Sequence, residues 1–122
     1  MWAVLGLLIG IFLGLISGIQ VQAIYSQYLA IAILACLDSV FGASLAFLQK
    51  TFDSKIFFTG FFMNSLFAAL LTYIGNLLGF DLTLATIIVF GTRIFSNGAS
   101  IRRLLLTKRA LHKQKLESEP EK

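Results

Sequence analysis

The chain has 122 residues, 57% of them hydrophobic and only 13% charged, with a formal net charge of +4 and a mean hydropathy of +0.85. A soluble domain carries about a quarter charged residues, so this composition excludes an ordinary soluble domain, a disordered tail and a typical nucleic-acid-binding domain. The length allows one domain at most, and ten glycines beside a single proline fit a helical membrane protein.

The first apolar segment, 2–19, contains no charge. It lacks the positive leader of a signal peptide, and a second apolar segment follows closely. It is therefore read as a retained span. Gly6, Gly10, Gly14 and Gly18 recur every four residues along it, which puts them on one helix face. Small residues at this spacing let two helix backbones approach closely. The partner helix could lie in the same chain or in a second copy.

Three further segments approach the roughly 20 apolar residues that cross a bilayer core of about 30 Å. They are 29–48, interrupted only by Asp38, then 56–80 without a charge, then 82–101, interrupted only by Arg93. Ser96-Asn97-Gly98 would mark a turn in a soluble protein. A helix ending there would be short for a span, which leaves a kink at Asn97-Gly98 open. Charge placement supports the fourth span. Lys50 and Lys55 flank one connection, and Arg102, Arg103, Lys108, Arg109, Lys113 and Lys115 follow the last segment with no acid among them. Cations mark the cytoplasmic side, and four spans put both basic regions there, whereas a chain without the fourth span would put them on opposite sides. The expected architecture is all-α: a four-helix membrane domain over 1–107 and a charged cytoplasmic tail over 108–122, in the cytoplasmic membrane with both termini inside.

The tail reads in two parts. Residues 102–115 mix cations with leucines and are expected to extend the fourth helix near anionic headgroups, with Arg102, Arg103, Lys108 and Arg109 each contributing about 1 kcal/mol. Residues 117–122 are acidic, hold the only proline, and are expected to be disordered. The positive-inside pattern already accounts for the cations, so nucleic acid is not expected as a partner. Membrane lipid and a membrane protein or a second copy are.

Ionisable residues within a span are rare and usually face the bundle interior. Asp38 lies about 14 Å into the second segment and Arg93 about 16 Å into the fourth, at 1.5 Å per residue. Both segments run the same way, so the two charges are expected to pair, an unpaired one costing at least about 3 kcal/mol. Thr83, Thr86, Arg93, Asn97 and Ser100 form one stripe of the fourth span, and Gly60, Asn64, Ala68 and Thr72 one of the third. With Ala35, Asp38, Ser39, Gly42, Ala46 and Gln49 of the second, these stripes are expected to converge, with Asn64 and Asn97 sharing a layer beneath the charge pair. Asp38, Asn64, Arg93 and Asn97 are then the buried polar cluster. The cluster reads either as a lock on helix register or as a site for an ion, proton or polar ligand. The two charges neutralise each other, and no second carboxylate lies in a span to pass a proton on, which favours the lock.

Catalytic signatures are missing from the sequence. There is no nucleophile elbow, metalloprotease pair, phosphate loop or dinucleotide fingerprint. The lone Cys36 sits in an apolar run, where a free cysteine acts as a small hydrophobe, and the lone His112 sits in the basic tail. No catalytic, cofactor-binding or metal-ligating residue is expected, and the chain is not read as an enzyme.

Three stretches carry a family resemblance: Tyr25-Ser26-Gln27-Tyr28-Leu29 leading to Leu37-Asp38, Gly60-Phe61-Phe62-Met63-Asn64, and Phe90-Gly91-Thr92-Arg93-Ile94-Phe95-Ser96-Asn97 followed by Ile101-Arg102-Arg103-Leu104-Leu105. The sequence resembles the small basic protein family of Gram-positive and related bacteria up to about Lys108. That resemblance implies a short, basic, multi-span membrane protein whose gene tends to lie beside cell-division and cell-wall genes. It carries no assigned activity and no catalytic residues. The expected function is an accessory or scaffold subunit that binds other membrane proteins, by association in division or envelope assembly. The alternative is a small oligomeric transporter or channel subunit with its polar site around Asp38 and Arg93.

Overall fold

In a hydrocarbon environment a backbone has only its own groups to hydrogen-bond, so apolar segments fold as helices. The computed structural model describes residues 2–118, which form four helices: α1 (Trp2–Ile16), α2 (Ala23–Leu48), α3 (Ser54–Leu78) and α4 (Leu82–Ser118). The last three are long and apolar enough to cross a membrane, while α1 is a shorter apolar helix. These are the marks of a multi-pass membrane protein.

The helix bounds differ most from the sequence expectations in three places. Helix α2 begins at Ala23 rather than 29, because 23–28 is uncharged and has no breaker. Helix α1 stops at Ile16, since Gly18 takes a left-handed conformation with φ 61° and so terminates the helix. Gly18 therefore leaves the glycine face, which is reduced to Gly6, Gly10 and Gly14. Helix α4 runs without a break through Ser96-Asn97-Gly98 to Ser118. A turn signal read for water loses its force where packing replaces hydration, and Gly98 lies against Phe41, whose ring carbon would be 3.5 Å from a Cβ added there. The acidic end expected to be disordered falls mostly outside the described residues. Its first members, Glu117 and Ser118, belong to α4, and Glu117 lies 3.7 Å from Lys113 on that helix.

The turns are locally specified. Asp53 caps α3, its Oδ1 accepting from the backbone N–H of Lys55 at 2.7 Å and of Ile56 at 3.3 Å, which satisfies donors a helix start leaves free. Gly79, with φ 71°, ends α3. The N–H of Phe80 then donates to the Gly75 carbonyl at 3.0 Å, and Asp81 Oδ1 accepts from the N–H of Leu84 at 3.2 Å. This closing turn is tight enough that a Cβ on Gly75 would lie 2.7 Å from the Phe80 carbonyl oxygen.

Helices α2, α3 and α4 all pack on one another, whereas α1 touches only α2. The buried residues are Ile31, Ala35 and Asp38 of α2, Ala68, Thr72 and Gly75 of α3, and Thr83, Thr86 and Phe90 of α4. Every one lies between the α3–α4 turn and the level of Asp38. Most are small, as expected where helices associate without a hydrophobic drive between them. The bundle is thus tight in this half. In the other half α2 and α4 stay together, but space opens between them and α3.

Candidate functional site

The level at which the packing changes is marked by the two intramembrane charges. Arg93 Nε lies 3.2 Å from Asp38 Oδ1, so the pairing expected from matching depths is present. The pair is lopsided: the Asp38 side chain is 1% exposed and that of Arg93 51%. Neither carboxylate oxygen of Asp38 has a hydrogen-bond donor among the described residues. The closest arginine nitrogen supplies charge at 3.2 Å without a well-aligned hydrogen bond.

Below the pair lies a cavity of about 230 Å³. Asp38, Ser39 and Gly42 of α2, Gly60 and Asn64 of α3, and Arg93 of α4 contribute to it. Its lining continues past Phe57 and Phe61 to Thr51, Phe52 and Asp53 in the α2–α3 connection, where these last three residues are exposed. A water needs only about 10–15 Å³ of such space, so this is a chamber rather than a packing flaw, with the oxygens of Asp38 shielded from it.

The expected stripes do converge, with different fates for their members. Asn64 joins the cavity lining and Asn97 does not. Asn97 instead turns to α2, its Nδ2 3.8 Å from where a Cβ on Gly42 would sit. No hydrogen bond links the two amides among the described residues, so they do not form the expected shared layer. The hydroxyls of the stripes bond to their own helices: Thr72 to the Ala68 carbonyl at 2.9 Å and Thr86 to the Leu82 carbonyl at 3.3 Å. This back-bonding satisfies a polar group without a partner helix. The residues that sequence reading missed are those at the cavity mouth, Thr51, Phe52 and Asp53, with Phe57 and Phe61 behind them. A signal was present: Asp53 precedes the third apolar run as a capping residue, and Phe57 and Phe61 flank Gly60 on the polar stripe.

Lys108 Nζ donates to the Leu48 carbonyl at 3.1 Å, which brings the basic part of α4 to the end of α2 where Lys50 and Lys55 also lie. Arg102, Arg103 and Arg109 are exposed. Among the described residues, no group of three or more His, Cys, Asp or Glu is arranged to hold a metal ion. At the other extreme of the chain, nothing lies within 4 Å of a Cβ added at Gly6, Gly10 or Gly14, and the large apolar side chains Leu5, Leu8, Ile9 and Phe12 of α1 are exposed.

A family model described as a protein of unknown function, DUF1290, matches residues 21–106. The small basic protein of Bacillus subtilis is 48% identical over 115 residues, covering 93% of this chain and 95% of its own length. The chain belongs to the DUF1290 family of small basic proteins. Uncharacterised proteins of Mycobacterium bovis and Mycobacterium tuberculosis are each 44% identical over 107 residues, covering 86% of this chain and 88% of theirs. No solved structure matches the chain. The DUF1290 match takes in α2, α3 and α4 as far as Leu106. The charge pair and the cavity therefore lie inside the family's shared region, and α1 lies before it.

Proposed function

We propose that the chain is an accessory or scaffold subunit of the cytoplasmic membrane, crossing it four times with both termini inside. It binds other membrane proteins or a second copy through helix faces and anionic lipid through its basic end. Following the family resemblance, the assembly it serves belongs to division or envelope building. The proposal assigns it no catalysis, no cofactor and no nucleic acid. The observation that carries this reading is the uncovered face of α1, where Gly6, Gly10 and Gly14 meet nothing within 4 Å. A membrane helix with small residues in a row and no neighbour on that side is open to close backbone approach. The common end shared by Lys50, Lys55 and Lys108 supports the topology, since cations gather on the cytoplasmic side.

The test is disulfide crosslinking in cells at Gly6→Cys or Gly10→Cys, with Cys36→Ala as background. A crosslinked species of defined mass, lost when Gly14→Leu is added, supports helix docking. A crosslink that survives Gly14→Leu, or none at either position, removes it. Protein level is expected to hold in Gly14→Leu, because no atom of the chain occupies that space.

The cavity beside Asp38 favours a second reading, a subunit that handles a polar solute. Flux through protein-loaded liposomes separates the two.

A further inference from the structure

The end of α2 holds a residue that its backbone does not favour. The N–H of Lys50 donates to the Phe47 carbonyl at 3.1 Å, and that of Thr51 to the Ala46 carbonyl at 2.9 Å. This pair of bonds closes a helix with a left-handed residue just past its cap, a position usually taken by glycine. Here the residue is a lysine, with φ 61°. Among the described residues it is the one non-glycine with a positive φ. A β-carbon is strained in that conformation, so local geometry selects against the side chain that is present.

That side chain lines a second cavity, of about 500 Å³, with Phe47, Leu48, Phe52 and Lys108. Ligand sites occupy roughly 300–1,000 Å³. Phe52 is supported from α3, its ring centroid 5.9 Å from that of Phe57. Lys108 Nζ donates to the Leu48 carbonyl at 3.1 Å. An ammonium group has three N–H donors, so this bond fixes Lys108 in place and leaves two donors for a ligand. The ion pairs among the described residues join Asp38 to Arg93 and Lys113 to Glu117. Neither Lys50 nor Lys108 has a carboxylate partner among them, and the cavity lining contains no acid. Two cations without a counter-charge stand beside three apolar residues at the end of a membrane helix. Their complement is an anion that carries hydrocarbon.

We propose that this cavity binds one anionic phospholipid, its phosphate bridged by Lys50 and Lys108 and its first acyl carbons against Phe47, Leu48 and Phe52. Basic pockets between helices at the cytoplasmic ends of a bundle suit such headgroups, and lysine serves as a point charge for phosphate. A zwitterionic headgroup is disfavoured, because its own cation would sit beside the two lysines. The assignment rests on the reading that the basic end of the protein binds anionic lipid, and it confines that binding to one built site.

The experiment is native mass spectrometry of the full chain in detergent micelles, titrated with phosphatidylglycerol and separately with phosphatidylcholine. Saturable binding of one phosphatidylglycerol is expected, with phosphatidylcholine weaker by about tenfold or more. Lys50→Gly is the decisive variant. Glycine adopts φ 61° without strain, so the lipid-free variant is expected to melt at the native temperature or above, and lost binding is not a lost fold. Its affinity for phosphatidylglycerol is expected to fall by about tenfold or more, equal to at least about 1.4 kcal/mol. Lys108→Gln is expected to fall with it, whereas Lys50→Arg and Lys113→Gln keep native affinity. Native affinity in Lys50→Gly, or equal binding of the two lipids, overturns the proposal. Equal losses in Lys50→Gly and Lys113→Gln overturn the site and leave a diffuse attraction of the basic end to anionic lipid. Absence of any phosphatidylglycerol binding removes both. Displacement of the lipid by equimolar inorganic phosphate overturns the assignment to a lipid.

Discussion

Asp38 is sealed and Arg93 is not: the two side chains meet at 3.2 Å, yet one is 1% exposed and the other 51%. Their removal is therefore not equivalent. Arg93→Gln strands a buried carboxylate, and breaking a buried pair in that way costs about 3–5 kcal/mol. Asp38→Asn leaves a cation that can extend its stem toward a more polar level, at a loss on the order of 1–2 kcal/mol. Unfolding in mixed micelles and steady-state protein level should rank Arg93→Gln below Asp38→Asn, and the double variant should recover above Arg93→Gln. The reverse ranking would mean that the arginine, not the aspartate, is the group the bundle confines.

The α3–α4 turn predicts a sharp contrast between two glycines. A Cβ at Gly75 would come within 2.7 Å of a backbone oxygen, whereas nothing lies within 4 Å at Gly91. Gly75→Ala should destabilise by about 1–3 kcal/mol through overpacking. Gly91→Ala should be neutral or slightly stabilising, because alanine is the better helix former by about 1 kcal/mol. Melting temperatures in detergent measure both. Equal shifts would contradict the tight turn.

Lys108 and Leu48 hold one end of the bundle together, which makes a prediction about sidedness. Single cysteines at Gln20 and His112, in a Cys36→Ala background, should react with a membrane-impermeant maleimide from opposite faces: Gln20→Cys from outside, His112→Cys only after permeabilisation. Labelling of both from one face would require an even number of spans between them.

The continuity of α4 can be measured directly. Phe95 and Leu106 are both exposed and lie on either side of Asn97-Gly98. Spin labels placed there should show one narrow distance distribution, with backbones separated by about 16 Å at 1.5 Å per residue. A broad or bimodal distribution would reveal a kink at Gly98.

The charge pair was legible in the sequence because two lone charges of opposite sign sat at matching depths in otherwise apolar runs. The small-residue stripe of α3 was legible for a related reason: a spacing of four puts Ala68 and Thr72 on one face, and both are buried. Periodicity ranks faces, however, and says nothing about gaps between them. The chamber arises because α3 stands off from α2 and α4 below Asp38, and no repeat in the sequence encodes that separation. Asn64 and Asn97 matched in depth but not in direction, since one faces the gap and the other the Gly42 backbone. Gly18 matched the spacing of its predecessors, yet a positive φ is a property of chain geometry that spacing does not report.

An uninterrupted α4 has a mechanical meaning. Twenty-five residues separate Arg93 at the chamber from Ser118 at the far end, a lever arm of about 37 Å. Rotating that rod by a few degrees about the charge pair displaces its tip by several ångströms. A change too small to repack the tight half of the bundle is thereby enlarged, at the basic end, into a movement that another molecule can sense.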